Sequence, residues 1–122
     1  MFFRGYVKTN GKSATEKFKN VPLRTLDEVQ ECDSYGGVLS DNAIMIDVDN
    51  FEQSEILMNI IEKEEILCRV SKTGRGKHFS FKNSKIQKCA TGAHLACGLT
   101  ADVKTGKANS YAILKKDGHE RE

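Results

Sequence analysis

The sequence predicts a single α+β domain in which helices pack on a mostly antiparallel sheet. Its 122 residues are 39% hydrophobic and 30% charged, which is enough apolar material for one compact core. Short apolar or alternating segments of strand length outnumber the helical patterns. Glycine-containing turns separate several of these segments, as they do in hairpins. We therefore expect residues 1–122 to form one domain.

The first part of the chain predicts a strand followed by a short helix. Residues 2–7 are mostly apolar and are typical of an opening strand. Thr25 is a favoured N-cap residue, and Glu28 stands three positions later, which is the spacing of a capping box. We expect this helix to end near Cys32. A glycine turn leading into a short strand is expected over residues 36–39.

The strongest strand signal lies at residues 43–49, where four consecutive apolar residues are followed by alternation. This pattern is typical of a strand whose first half is buried on both faces. Asn50 can cap the next helix with Gln53 as its reciprocal partner, and the helix should reach Glu64. One apolar stripe of this helix is expected to face the core: Phe51, Leu57, Met58, Ile60 and Ile61.

The second half of the chain predicts two hairpins. Residues 66–71 and 77–81 form strands on either side of a glycine-containing turn. Residues 99–103 and 111–115 form a further pair of strands, which we expect to be joined as the second hairpin. The resulting order is strand, helix, two strands, helix and four strands.

The overall charge is close to balanced, with 19 Lys and Arg against 17 Asp and Glu and a net charge of +2. The balance and the hydrophobic fraction exclude a disordered chain. No apolar run approaches the roughly 18 residues of a membrane span, and the N-terminus lacks the apolar segment of a signal peptide. We therefore expect a cytoplasmic protein that has no membrane partner.

Four cysteines are present, and without a secretion signal they are expected to be reduced thiols. Cys68 and Cys97 stand beside apolar residues and are interpreted as small core side chains. The spacing of Cys89, His94 and Cys97 lacks a CxxC pair and a fourth ligand, so zinc binding stays open from the sequence.

The sharpest chemical signal is the pair Asp47 and Asp49 at the end of the apolar strand. Residues two apart on a strand point to the same face, so the two carboxylates can share metal ions. Mg²⁺ and Mn²⁺ take carboxylate oxygens and retain positions for substrate phosphates. Asp102, in another apolar strand, is costly to bury without a cation and supplies the third carboxylate of a two-metal site. The alternative is that Asp49 only complements a helix dipole.

A basic, glycine-containing turn follows the acidic segment. Residues 47–65 carry seven acids and one base, whereas residues 69–88 carry seven bases and no acid. Such a basic segment suits a polyphosphate or nucleic acid, although a solvated face is the alternative. His78 and Ser80 are expected on the face opposite Phe79 and Phe81. The candidate nucleotide-binding residues here are Ser71, Lys72, Arg75, Gly76, Lys77 and His78, with the glycine letting backbone amides approach phosphate.

A superficial P-loop pattern occurs at residues 5–13, where a second glycine precedes Lys12 and Ser13. Walker A requires four residues between its glycines, and here there are five. We therefore exclude an NTPase P-loop and keep Lys12 only as a candidate contact to nucleic acid.

Three segments in order along the chain resemble the motifs of the archaeo-eukaryotic primase superfamily. They are Ile-Met-Ile-Asp-Val-Asp at 44–49, the glycine turn and histidine strand at 71–81, and Gly-Leu-Thr-Ala-Asp-Val-Lys at 98–104. The resemblance is narrower to primase-polymerase domains of phage and mobile-element primase-helicases. It implies a primase-polymerase-like catalytic core, in which Asp47, Asp49 and Asp102 ligate two Mg²⁺ or Mn²⁺ ions. By the same resemblance, His78 contacts the triphosphate of the incoming nucleotide and Lys104 lies near phosphate or template.

The function implied is a metal-dependent nucleotidyltransferase, a DNA primase and polymerase that copies single-stranded DNA during replication of a phage or mobile element. Its partners would be the DNA template, nucleoside triphosphates and a replicative helicase. Catalytic domains of the family are usually longer, so the chain is also interpreted as a possible catalytic core of a longer primase-helicase. Two alternatives stay open: a metal-dependent nuclease that uses the same acids, and a non-enzymatic nucleic-acid-binding replication module.

Overall fold

The computed structural model describes residues 2–82, 90–94 and 98–121. Every strand pair in these ranges is antiparallel, which confirms the predicted α+β class with mostly antiparallel pairing. The helices are α1 (Leu26–Val29) and α2 (Phe51–Lys63). The strands are β1 (Phe3–Asn10), β2 (Ser13–Ala14), β3 (Tyr35–Leu39), β4 (Ala43–Val48), β5 (Arg69–Lys72), β6 (Lys77–Lys82), β7 (Ala90–His94), β8 (Thr100–Thr105), β9 (Tyr111–Lys116) and β10 (His119–Glu120).

The described strands form two sheets of five. The first sheet has the order β10-β9-β3-β1-β2, and the second has the order β5-β6-β4-β8-β7. The predicted hairpin of β5 and β6 is confirmed, whereas the second predicted hairpin is wrong. β8 pairs with β4 and β7, and β9 pairs with β3 and β10 in the other sheet.

The chain changes sheets at a 3₁₀ turn, Gly106–Ala108, which separates β8 from β9. The backbone of Gly106 lies against the end of β3. A Cβ atom at this position would be only 1.7 Å from the carbonyl oxygen of Ser40. A glycine is therefore required for this close backbone approach at the crossover between the two sheets.

Two further glycines lie inside a strand, where the sequence predicts a turn. Gly36 and Gly37 belong to β3 and pair with residues of both β1 and β9. A Cβ atom on Gly37 would meet the ring of Phe3 at 2.6 Å and the side chain of Leu114 at 2.9 Å. The glycines therefore make room for neighbouring side chains, and the predicted turn at 36–37 is wrong.

The predicted helix starts are confirmed. Thr25 and Glu28 form a capping box before α1, although this helix ends at Val29 and not near Cys32. The side chain of Asn50 accepts a hydrogen bond from the Gln53 amide at 3.0 Å. The reciprocal half of that cap is not formed, because the Gln53 side chain accepts from an amide of β8 instead.

Helix α2 covers one face of the second sheet. A hydrophobic cluster that includes Val48, Leu57, Ile61 and Phe79 lies between them. Phe51 does not join this core as predicted, since it is 65% exposed in the first helical turn. Burial of these apolar side chains stabilises the sheet on which the candidate site is built.

Strand β5 begins at Arg69 and not at the predicted residue 66, and Leu67 is 88% exposed. Cys68 packs partly buried against the α2 core, and burial raises the pKa of its thiol. Cys32 and Cys68 are free in the described part of the chain. The core placement expected for Cys97 and the zinc question at Cys89, His94 and Cys97 lie outside the described residues and side chains.

None of the described helices is long and apolar enough to cross a membrane. The longer of the two, α2, has 13 residues.

Candidate active site

The candidate site is a row of four residues that crosses the second sheet. Ser71 of β5 pairs with His78 of β6, His78 pairs with Asp47 of β4, and Asp47 pairs with Asp102 of β8. Side chains on directly paired antiparallel residues share a face. Because α2 covers the opposite face, this row faces the first sheet. The strand register thus brings together residues from all three motifs.

Asp47 and Asp102 are nearest neighbours in this row, and both are partly buried. One oxygen of Asp102 accepts a hydrogen bond from the Gly92 amide at 2.9 Å. Burial opposes ionisation of Asp47, but the hydrogen bond and charge of His78, with the charges of Lys104 and Arg121, lower the pKa of Asp47 below its usual value. Asp47 is therefore kept as a carboxylate, the form that binds cations.

His78 is 7% exposed, and its Nε2 atom lies 3.4 Å from Oδ1 of Asp47. Phe79 is fully buried on the α2 side, while Ser80 is buried on the face that carries His78. The predicted alternation of these side chains is therefore confirmed. Both faces of β6 are buried because the helix lies on one side and the first sheet on the other.

A cleft of about 200 Å³ opens over Asp47, and we call it the Asp47 cleft. The cleft is lined by carboxylates and a histidine of the second sheet and by cationic side chains of both sheets. Its lining residues are Lys12, Asp47, Asp49, Thr73, Gly74, Arg75, His78, Lys116 and Arg121. Such a mixture suits an anionic ligand that arrives with metal cations, which is the chemistry of a polyphosphate.

Three of the cations come from the first sheet or its connections, and two of them, Lys116 and Arg121, were not predicted as site residues. Lys12 is held in the β1–β2 turn, where its carbonyl accepts a 2.8 Å hydrogen bond from the hydroxyl of Tyr111. The Arg121 amide donates to the Leu114 carbonyl at 2.8 Å, which holds Arg121 beside β9. Sequence reasoning missed these residues because it did not predict that the first sheet forms separately and faces the row.

Asp49 and Arg75 form an ion pair at the mouth of the cleft, with Arg75 Nη2 2.5 Å from Oδ2 of Asp49. Their side chains are 47% and 73% exposed. An exposed pair of this kind contributes about 0–1 kcal/mol, so its partners can exchange readily for a ligand. Asp49 and Arg75 therefore line the same cleft as Asp47.

The two glycines of the turn before β6 have different roles. The Gly76 amide donates to the Thr73 hydroxyl at 3.0 Å, so it is already used within the turn. A Cβ atom on Gly76 would lie 1.8 Å from the Val48 carbonyl oxygen, whereas one on Gly74 would meet nothing within 4 Å. Gly76 therefore lets the turn pack against the end of β4 and positions the acids. The expectation that its amide approaches phosphate is not supported.

Lys77 lies on the α2 face and does not line the Asp47 cleft. It pairs across the strands with Val48, and its ammonium donates to Glu55 at 2.6 Å and to Ser54 at 3.3 Å. Lys72 is the cross-strand partner of Lys77 and is placed on the same face. The expectation that these two lysines face the acids is therefore wrong, because adjacent strand residues alternate between faces.

Lys104 is placed on the same face as Asp102, two residues farther along β8. Its charge contributes to the lowered pKa of Asp47. Ser71 is 1% exposed, and its hydroxyl has no hydrogen-bond partner among the described residues. Since a buried hydroxyl normally finds a partner, Ser71 is a polar group beside His78 with an unused bonding capacity.

Comparisons with protein-family models, curated proteins and solved structures found no match to the chain. Across the described side chains, no three Asp, Glu, His or Cys residues are gathered as a metal-binding group.

Proposed function

We propose that this chain is a metal-dependent nucleotidyltransferase, a DNA primase and polymerase domain that joins nucleotides on a single-stranded DNA template. One observation carries the proposal: Asp47 pairs with Asp102 on one side and with His78 on the other, and Asp47 and His78 line a cleft that also holds four cationic side chains. The motifs that resemble the primase superfamily supply these residues. The first sheet supplies additional cations.

The acidic residues suit Mg²⁺ or Mn²⁺. Asp47 and Asp102 are directly opposed like charges, an arrangement that destabilises a sheet unless cations compensate. Asp49 lines the same cleft and would complete the set by exchanging Arg75 for metal. When bound, the ions would stabilise negative charge on the phosphoryl oxygens.

The cations of the cleft would hold the triphosphate. Arg75, Lys12, Lys116 and Arg121 line it and can neutralise the phosphate oxygens. His78 would donate a hydrogen bond to a phosphate oxygen, with Asp47 orienting its ring. The reaction is an in-line attack of a 3′-hydroxyl oxygen on the α-phosphorus, which breaks the bond to the β-phosphate and releases pyrophosphate.

The nuclease alternative uses the same three acids on a phosphodiester. A triphosphate is favoured here because four cationic side chains line one small cleft, more charge than a single scissile phosphate needs. We further propose single-stranded DNA and nucleoside triphosphates as ligands, a replicative helicase as partner, and a cytoplasmic setting. In this proposal the chain is the catalytic core of a primase-helicase.

Primer synthesis tests the proposal. The chain is incubated with single-stranded DNA, labelled nucleotides and Mg²⁺ or Mn²⁺, and the products are resolved by length. Template-dependent products are expected from the wild type and from Asp41→Asn, a change in an exposed turn. They should fall at least about 100-fold in Asp47→Asn and Asp102→Asn. DNA cleavage without nucleotides would favour the nuclease, and DNA binding with neither reaction would favour the non-enzymatic module.

A further inference from the structure

A second groove lies beside the Asp47 cleft, and Arg121 lines both of them. We call it the aromatic groove. Its volume is about 260 Å³, and it lies between the first sheet and Arg69 of β5. Its lining residues are Phe3, Tyr6, Leu26, Tyr35, Arg69, Leu114, Glu120 and Arg121. None of the three sequence motifs that indicate nucleotidyl transfer accounts for its aromatic wall.

The aromatic residues form a connected surface. The ring centroids of Phe3 and Tyr6 lie 6.4 Å apart, and those of Tyr6 and Tyr35 lie 6.2 Å apart in an edge arrangement. Phe3 and Tyr6 are partly exposed, so their rings are available to a ligand. Phe3 and Leu114 pack over Gly37, where a Cβ atom would meet them at 2.6 and 2.9 Å. The rings of Phe3, Tyr6 and Tyr35 therefore form one side of the groove.

The charged groups of the groove differ from those of the Asp47 cleft. The guanidinium carbon of Arg69 lies 5.2 Å from the centroid of Phe3 and presents a planar cation above the ring. Glu120 adds one carboxylate, while Arg121 is shared with the cleft. The groove thus offers flat apolar surfaces with both a hydrogen-bond donor and an acceptor. This combination suits a nucleobase better than a phosphate.

We propose that the aromatic groove binds one nucleobase, attached to a phosphate held at Arg121. The proposal rests on the nucleotidyl-transfer function and specifies how its substrates are held. The volume is below the about 300–1,000 Å³ of sites for drug-sized ligands, so it suits a single base. The base stacks against Tyr6 and the guanidinium plane of Arg69. It comes either from the template strand or from the incoming nucleotide.

Binding measurements with and without bases test this proposal. Fluorescence anisotropy compares labelled oligo(dT) with an abasic strand of equal length, and calorimetry compares dTTP with inorganic triphosphate. The variants are Tyr6→Leu, which removes a ring, and Arg69→Lys, which retains the charge but loses the planar fork. Loss of one stacking contact is expected to weaken binding of the base-bearing ligand about 5- to 100-fold. The affinity for the matched ligand without a base should change less than about twofold, because the phosphate contacts are retained.

Two matched controls accompany these variants. Phe51→Leu removes an exposed aromatic ring on α2, and Arg4→Lys replaces an exposed arginine outside the groove. Both should bind all four ligands as the wild type does. Thermal melting confirms folding of each variant, and Arg69→Lys alone suffices if Tyr6→Leu does not fold.

The outcomes separate the two sources of the base from each other. A selective loss on oligo(dT) assigns the groove to the template, and a selective loss on dTTP assigns it to the incoming nucleotide. Equal weakening of base-bearing and base-free ligands, or no weakening, would overturn the proposal. A chain that makes no primers but retains base-selective binding would refute the proposed activity and leave the groove assignment standing.

Discussion

Asp47 and Asp102 are directly paired in the register of β4 and β8, so two carboxylates stand side by side on one face of the second sheet. Like charges in this position oppose folding. The pKa of Asp47 is nevertheless lowered, because the hydrogen bond and charge of His78 and the charges of Lys104 and Arg121 outweigh its burial. The neighbouring cations therefore keep Asp47 ionised in the folded protein, and an acid whose pKa is perturbed by a cluster of charges in a cleft is characteristic of functional sites.

Replacing Asp102 by asparagine should separate metal binding from folding. Asparagine retains the oxygen that accepts from the Gly92 amide but removes the like charge opposite Asp47. Without metal, the melting temperature of Asp102→Asn should equal or exceed that of the wild type. Saturating Mn²⁺ should stabilise the wild type by about 2.7 kcal/mol at 100 times Kd, and EDTA should reverse the gain. Asp41→Asn should respond as the wild type does. An undiminished Mn²⁺ effect in Asp102→Asn would exclude this residue as a ligand.

The two glycines of the β5–β6 turn should respond oppositely to alanine. Gly76→Ala would place a methyl group 1.8 Å from the Val48 carbonyl oxygen, whereas Gly74→Ala meets nothing within 4 Å. We expect Gly76→Ala to lower the free energy of unfolding by about 3 kcal/mol or more, and Gly74→Ala to change it by less than about 0.5 kcal/mol. Urea denaturation measures both. Similar stability of the two variants would show that the turn does not pack on β4.

Lys77 and Arg75 should have separable effects, although they are two residues apart in one basic segment. Lys77 is buried and bonds to Glu55, so Lys77→Gln should lower the free energy of unfolding by about 1–3 kcal/mol. Its affinity for inorganic triphosphate should be unchanged. Arg75→Gln should retain stability, weaken triphosphate binding several-fold and reduce the salt dependence of DNA binding by about one unit of log-log slope. Urea denaturation measures the stability of both variants, and calorimetry measures their affinity for triphosphate. If Lys77→Gln weakened triphosphate binding while Arg75→Gln did not, Lys77 would be the residue that contacts the ligand.

The sequence was a good guide to local structure near the site. The capping signals at Thr25 and Asn50 are both realised, and the alternation in β6 correctly placed Phe79 opposite His78. These features depend on neighbouring residues in the chain. The metal-site hypothesis also required the carboxylates of Asp47 and Asp102 to converge on one patch of the sheet, and the two residues are paired on adjacent strands.

Long-range features could not be predicted in the same way. Gly36 and Gly37 have a turn signature, but their environment comes from Phe3 and Tyr111, which are distant in the chain. Gly106 packs against Ser40 where the chain crosses from the second sheet to the first, and no local pattern indicates that contact. The placement of Lys116 and Arg121 in the cleft depends on this crossover. Charge counted along the chain therefore found the basic turn but missed the cations that the other sheet contributes.

Glu16 should make stability depend on pH. Both of its carboxylate oxygens accept from Arg24 Nε, at 2.7 and 3.0 Å, and this hydrogen bond lowers the pKa of Glu16 despite partial burial. The pKa of Glu16 is lower in the folded protein than its unfolded value of about 4.3, so ionised Glu16 stabilises the fold above about pH 4.3. This stabilisation is lost as the pH falls through the folded-state pKa. Glu16→Gln should therefore be less stable than the wild type at pH 7 and nearly equal at pH 3. Urea titrations at both pH values measure the free energy of unfolding. Arg24→Gln should show the same dependence on pH as Glu16→Gln. A constant difference across pH would contradict the assignment.

Ser71 should reveal whether the row of residues beside Asp47 is built for a ligand. Its hydroxyl is buried and lacks a hydrogen-bond partner in the described part of the chain, and Ser71 pairs directly with His78. A buried polar group without a partner costs about 1–3 kcal/mol, so Ser71→Ala should raise the free energy of unfolding of the ligand-free protein. If the hydroxyl bonds to a nucleotide, the same change should weaken binding of a nucleoside triphosphate about tenfold. Urea denaturation and calorimetry on one preparation measure both effects, with Ser13→Ala in exposed β2 as the control that should alter neither. A variant that is more stable and binds the nucleotide as tightly as the wild type would show that Ser71 has no part in the site, whereas a stability loss would mean that its hydroxyl already has a structural partner.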